Sequence, residues 1–145
     1  MEIKTELNSM RYLKQAIATK NRQIDELEDL KVHISSPIIT GMPKAKSFER
    51  SERIEKILDK ITKLEDEKRK EVDDLIEKNV KWTKRFRNLS TEQASIMEMR
   101  YFENYTWDNI AKEMNYERRT IFRIHGQALE ALNTQKTAEI VTKCH

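Results

Sequence analysis

Two stretches of this chain repeat apolar residues in alternating steps of three and four, a spacing that admits little besides long helices laid side by side. In the first, Leu13, Ile17, Lys20, Ile24, Leu27, Lys31 and Ile34 form the stripe of a helix from about residue 8 to residue 34. In the second, Ile57, Ile61, Leu64, Lys68, Val72, Leu75, Asn79, Trp82, Phe86 and Leu89 place a helix from about residue 48 to residue 87. Lysines in such a seam lower stability but help to fix register, and the two successive steps of four, Leu64 to Lys68 to Val72, unwind the supercoil locally. Only 37% of the residues are hydrophobic and 37% are charged, which rules out a large globular core and suits helices that bury one narrow stripe each.

The segment between them, "SSPIITGMPKAKS" (35–47), holds both prolines and one of the two glycines, so it reads as a loop, with Pro37 ending the first helix. Ile38, Ile39 and Met42 are expected to pack back onto the helix ends, a contact with another protein being the alternative. At 1.5 Å per residue the second helix is about 60 Å long and the first roughly 40 Å. Trp82, Phe86 and Leu89 therefore run past the first stripe and need cover from the rest of the chain or from another copy. A homo-oligomer, a dimer or higher, held by residues 8–88 is the expectation.

From Leu89 onward the pattern changes. "LSTEQ" is a capping box, with Ser90 as N-cap and Gln93 three residues on, opening a helix that ends near Asn104. "YTWDNIAKEM" begins another, with Thr106 as N-cap and Asp108 in a first turn that favours an anion. Ala111 leaves room for a crossing helix, and Asn115 sits where the left-handed backbone of a tight turn is expected. A last helix from about Arg118 to Leu132 completes a helix-turn-helix plan. On its wheel Ile121, Ile124, Ala128 and Leu132 share one side, whereas Arg119, Arg123 and Gly126 lie opposite, flanked by Phe122 and Gln127. His125 falls near the core edge and reads as a structural histidine; Trp82 and Trp107 read as packing residues.

In this motif the outward face near the start of the second helix enters the DNA major groove, and arginine reads guanine edges or holds phosphates there. Arg118, Arg119, Thr120, Phe122, Arg123 and Gln127 are thus the candidate DNA contacts, with Arg118 assigned to a phosphate. Lys84, Arg85, Arg87 and Thr106 are further candidates for phosphate contacts. Charge alone would not show this, since residues 81–133 hold nine basic against seven acidic side chains; their position carries the argument. Gly126 weakens its helix, and on the outer face it admits the close approach of a partner.

"LSTEQASIMEMRYFENYTWDNIAKEMNYERRTIFRIHGQALEAL" resembles region 4 of bacterial sigma factors, in Glu92, the "MRY" at 99–101, the "IA" at 110–111 and the "TIFRIHGQALEAL" at 120–132. With "GMPKAKS" (41–47) and "YTWDNIA" (105–111), the whole chain resembles the ArpU/RinA-like phage transcriptional regulators, which pair a helical N-terminal region with a sigma-like helix-turn-helix. Where sigma region 4 usually has glycine this chain has Asn115, and Glu117 replaces a short polar cap. No part resembles the sigma region that grips RNA polymerase and melts the promoter. The resemblance implies a phage or prophage activator of late genes, with RNA polymerase as a further partner.

The expected architecture is all-α: a long antiparallel helical hairpin or coiled coil over residues 1–88, a sigma-like helix-turn-helix over 89–133, and a tail over 134–145. The expected function is sequence-specific binding of double-stranded DNA to regulate transcription. Two other readings share this plan: a small terminase-like packaging protein, and an adaptor that binds RNA polymerase without DNA. No catalytic constellation or phosphate-cradling glycine loop stands out, so neither an enzyme nor a cofactor is expected. Cys144 and His145 are adjacent, but His33 and His125 are remote, so no zinc spacing arises. The single cysteine excludes an internal disulfide. The start "MEIKTELNSMRYLKQ" lacks the apolar run of a signal peptide, and no stretch approaches membrane-spanning length, so a cytosolic protein without membrane contact is expected.

Overall fold

In a computed structural model, residues 2–35 and 44–143 are described, and among them every regular element is helical. The order is α1 (Ile3–Ser35), α2 (Lys44–Phe86), α3 (Thr91–Met97), a π-helical segment (Glu98–Phe102), α4 (Trp107–Met114) and α5 (Arg118–Lys143). Long N-terminal helices followed by three shorter elements and a final helix fit the all-α expectation. Ile38, Ile39, Met42, Cys144 and His145 lie outside the described residues.

The helices fall into two compact units. One comprises residues 14–74. There Ile24, Ile57 and Ile61 are buried, with Leu27, Ile34 and Leu64 against them, all seam positions. The seam lysine Lys20 is not wasted: its Nζ donates to Glu71 Oε1 at 2.5 Å, a half-buried pair that joins α1 to α2. Arg50 donates to the Ser35 carbonyl near the other end, so within this unit the two helices run antiparallel. Leu30, Val32 and Leu58 are exposed, consistent with a stripe only one face wide.

The other unit joins residues 1–13 to 75–145. The helix boundary expected near residue 8 is too late: Ile3, Leu7 and Met10 extend the stripe of α1 to its first turn and are fully or nearly fully buried. They share one core with Trp82, Phe86, Met97, Tyr101, Ala128 and Leu132, and Leu89 packs against it. Lys81 pairs with Glu6 at 3.0 Å and Lys78 donates to Ser9 Oγ at 3.0 Å, again an antiparallel register. Trp82, Phe86 and Leu89 are therefore covered by the chain itself. The argument for an oligomer that rested on them falls. The packing division at 74/75 also differs from the boundary expected at 88/89, because the end of α2 belongs with α3 and α5.

The single helix expected from Ser90 to about Asn104 is α-helical only to Met97 and then widens into the π-helical segment. A π turn holds an extra residue. It lets consecutive side chains serve two partners: Tyr101 is buried beside His125, and Phe102 packs its ring 5.2 Å from that of Phe86. Asn104, with φ of 59°, stops the segment. At the far end, residues 134–143, expected as a tail, continue α5, whose "TQKTAEIVTK" contains neither glycine nor proline. No helix among the described residues is long and apolar enough to cross a membrane.

Candidate nucleic-acid interface

Two caps fix the start of the helices that build the site. Ser90 Oγ accepts from Gln93 N at 3.2 Å, and Gln93 Oε1 accepts from Ser90 N at 3.3 Å, closing the reciprocal box read from the sequence. Thr106 Oγ1 accepts from Asn109 N at 3.2 Å and caps α4. Each such cap is worth about 1 kcal/mol. Asn115 ends α4 in the left-handed conformation, φ 57° and ψ 40°, and the Tyr116 N–H returns to the Ala111 carbonyl at 3.1 Å. The chain thereby turns sharply into α5. Tyr116 hydrogen-bonds Glu92 of α3 through its hydroxyl, a contact that raises the phenol's pKa and ties the turn to the preceding helix.

Below this turn Ile96, Ile110, Ile121 and Ile124 are buried together, with Met99, Trp107, Ala111 and Met114 at their edge. The wheel of α5 is therefore correct on its inner side: Ile121, Ile124, Ala128 and Leu132 all face the core. His125, only 6% exposed, lies deeper than the core edge. Its Nε2 and the Tyr101 hydroxyl are 2.8 Å apart in a hydrogen bond, and its ring stands edge-on to Trp107 at 4.8 Å. Burial, then the charges of Lys4 and Arg100, push its pKa from 6.5 down to about 4. Burial likewise raises the Tyr101 pKa to about 12, against the pull of Arg100 and Arg11.

This depressed histidine has a consequence for acid stability. The unfolded chain takes up a proton at His125 near pH 6.5, whereas the folded chain does so only near pH 4. Stability is then fully present above pH 6.5 and is lost as pH falls from 6.5 towards 4, because the unfolded state binds more protons across that window. Thermal melts of the wild type and His125→Gln over this range are expected to converge as pH falls. Parallel curves would remove His125 as the source.

The outer side of α5 carries Arg118, Arg119, Phe122, Arg123, Gly126 and Gln127, all exposed, with Thr120 half-buried. Arg119 and Arg123 make no hydrogen bond or ion pair with the described residues. Arg118 differs: its Nε lies 3.2 Å from Asp108 Oδ1 in the first turn of α4, and its guanidinium sits 5.5 Å from the Phe122 ring. Beyond the neighbouring backbone of α5, a β-carbon on Gly126 would meet no atom of the described residues within 4 Å, so packing among them does not require glycine there.

Among the candidate phosphate contacts, Thr106 stands at the start of α4, beside the helix-turn-helix. Lys84 and Arg85 close α2 and Arg87 follows it, beside Trp82 and Phe86, which share a core with Ala128 and Leu132. Ala128 lies about 14 Å along α5 from Arg119. Arg85 is half-buried with its guanidinium 5.2 Å from the Trp82 ring, whereas Lys84 and Arg87 are exposed. Thr106 thus belongs to the helix-turn-helix itself, whereas Lys84, Arg85 and Arg87 lie where α2 gives way to it in the chain.

One residue with a part in the site was not singled out from the sequence. Arg100 donates to the Tyr105 carbonyl at 3.0 Å and places its guanidinium 4.3 Å from the Trp107 ring, bracing the start of α4. Its place in "MRY" was visible, but its partners depend on the π-helical turn.

A capped short helix, a left-handed asparagine turn and a longer helix with an uncovered polar face define a helix-turn-helix protein. Residues 86–133 match the family model of sigma-70, region 4, and form a helix-turn-helix of that kind. No curated protein and no solved structure gave a match.

Proposed function

We propose that this protein binds double-stranded DNA in a sequence-specific manner and regulates transcription, with α5 as the recognition helix. The observation that carries this reading is the pair Arg119 and Arg123, exposed and without hydrogen-bond or ion-pair partners among the described residues, one turn apart on α5, on the side opposite its buried isoleucines. A helix presented this way after a tight turn is the element that enters a major groove. Arg118, Thr120, Phe122 and Gln127 complete the contact face, and Thr106 serves a phosphate from the start of α4. Lys84, Arg85 and Arg87 serve the flanking backbone of a longer site.

The resemblance to the ArpU/RinA-like regulators supports the narrower reading of a phage or prophage activator of late genes. The likeness to sigma-70, region 4 adds RNA polymerase as a candidate second partner. The test is to purify the full chain from a bacterial host carrying the cognate genome and sequence the DNA fragments bound to it. Enrichment of promoter-proximal fragments is expected. Enrichment at a packaging start site would replace this reading with the terminase-like one, and no enrichment with RNA polymerase retained would favour the adaptor. A site made of two inverted halves would also report that two chains bind together.

A further inference from the structure

The recognition face of α5 holds one large apolar side chain among its arginines. Phe122 is 44% exposed, next to the buried Ile121. It is nonetheless held in place. The Trp107 ring meets it edge-on, with centroids 5.1 Å apart at 69°, and the Arg118 guanidinium sits 5.5 Å from its face. Arg118 is itself anchored by Asp108 at 3.2 Å. The edge-on contact with Trp107 thus gives the exposed ring a preferred place on this face as an apolar knob.

The next residue on the same face, one turn on, is Gly126. Residues four apart on a helix are neighbours, so the missing side chain leaves bare backbone beside the ring. Apart from the neighbouring backbone of its own helix, no atom of the described residues lies within 4 Å of where a β-carbon would stand. Glycine costs about 1 kcal/mol in a helix interior, and no packing among the described residues asks for it. A knob next to a recess, on one flank of Arg119 and Arg123, is complementary to a small apolar projection on an otherwise polar surface. In the DNA major groove only one base offers that: the C5 methyl group of thymine, which apolar side chains read by contact.

Resting on the reading of α5 as a recognition helix, we infer that Phe122 is a specificity-determining residue that selects thymine by its methyl group, with Gly126 leaving the space for it. The arginines select by hydrogen bonds, and Phe122 adds a position they cannot read.

The experiment uses the full chain and the tightest-binding duplex selected from a randomised pool. Each thymine of that duplex is replaced in turn by deoxyuridine, which keeps every hydrogen bond and removes only the methyl. At one position the wild-type affinity is expected to fall roughly fourfold, the equivalent of one methyl group leaving an apolar contact. Phe122→Ala should bind both versions of that duplex alike, Phe122→Leu should keep part of the preference, and Arg123→Ala should keep the fourfold difference while binding more weakly. Gly126→Ala should raise the melting temperature yet weaken binding to the thymine duplex. The inference is overturned if no thymine is sensitive, or if Phe122→Ala shows the same sensitivity as wild type. It is also overturned if Phe122→Ala leaves DNA binding untouched, an outcome that assigns the ring to a protein partner. Failure of the selection to yield any bound sequence overturns the DNA reading itself, a separate and recognisable result.

Discussion

Replacing Arg119 and Arg123 by alanine together is expected to weaken binding to the selected duplex about thirtyfold or more, with the fold intact. Each arginine that grips a guanine edge with two hydrogen bonds contributes about 1–3 kcal/mol, roughly 5- to 150-fold in affinity. Both side chains point away from the core and pair with nothing described, so removing them leaves no buried group unsatisfied. Circular dichroism should be unchanged. Anisotropy titrations separate the two roles an arginine can take. Loss of a base contact relaxes preference at one base pair, whereas loss of a phosphate contact weakens every sequence and lowers the salt slope by about one unit. Arg118→Ala should follow the second pattern, and less strongly, because Asp108 already neutralises part of its charge. Unchanged operator affinity of the double variant at physiological salt would sink the assignment of α5.

The second large effect is on stability and starts far from the helix-turn-helix in sequence. Leu7→Ala removes a fully buried side chain from the core that also holds Trp82, Phe86, Tyr101 and Leu132. Leu→Ala changes in such sites cost about 2–5 kcal/mol, and Trp or Phe→Ala about 3–5 kcal/mol. The melting temperature of the unit that contains α3, α4 and α5 should fall with Leu7→Ala as it does with Phe86→Ala. A variant lacking residues 1–10 should lose more still. If that truncation melts like the full chain, the N-terminal turns of α1 do not support the DNA-facing helices, and the shared core is wrong.

Much of this architecture was readable because its causes are local. A stripe at steps of three and four, a serine three residues before a glutamine, and an asparagine between two helical patterns each act within a turn or two of the chain. The seam residues, the Ser90 and Thr106 caps and the left-handed Asn115 followed for that reason. The inner face of α5 did too, since its period alone separates Ile121 and Ile124 from Arg119 and Arg123. What escaped were features set by distant partners. Ile3, Leu7 and Met10 continue the same period, but nothing near them in sequence announces that Trp82 and Phe86 are waiting. "EMRYF" carries no signal against an ordinary α-helix; the widened turn answers to Phe86 on one side and His125 on the other. Arg100 was overlooked because its carbonyl and aromatic partners take shape only after that turn.

The core that joins both ends of the chain also sets an order of assembly. The Glu6–Lys81 pair spans 75 residues, whereas the Tyr101–His125 contact spans 24. Closing the longer loop from an unstructured chain costs about 1 kcal/mol more in entropy, since that cost grows with the logarithm of length. The three helices around Ile96, Ile110 and Ile121 can therefore meet early, leaving Trp82 and Phe86 with a bare flank until the first turns of α1 arrive. In that interval the chain would present an adhesive aromatic surface to its surroundings. Docking of Ile3, Leu7 and Met10 is what covers that flank in the folded chain.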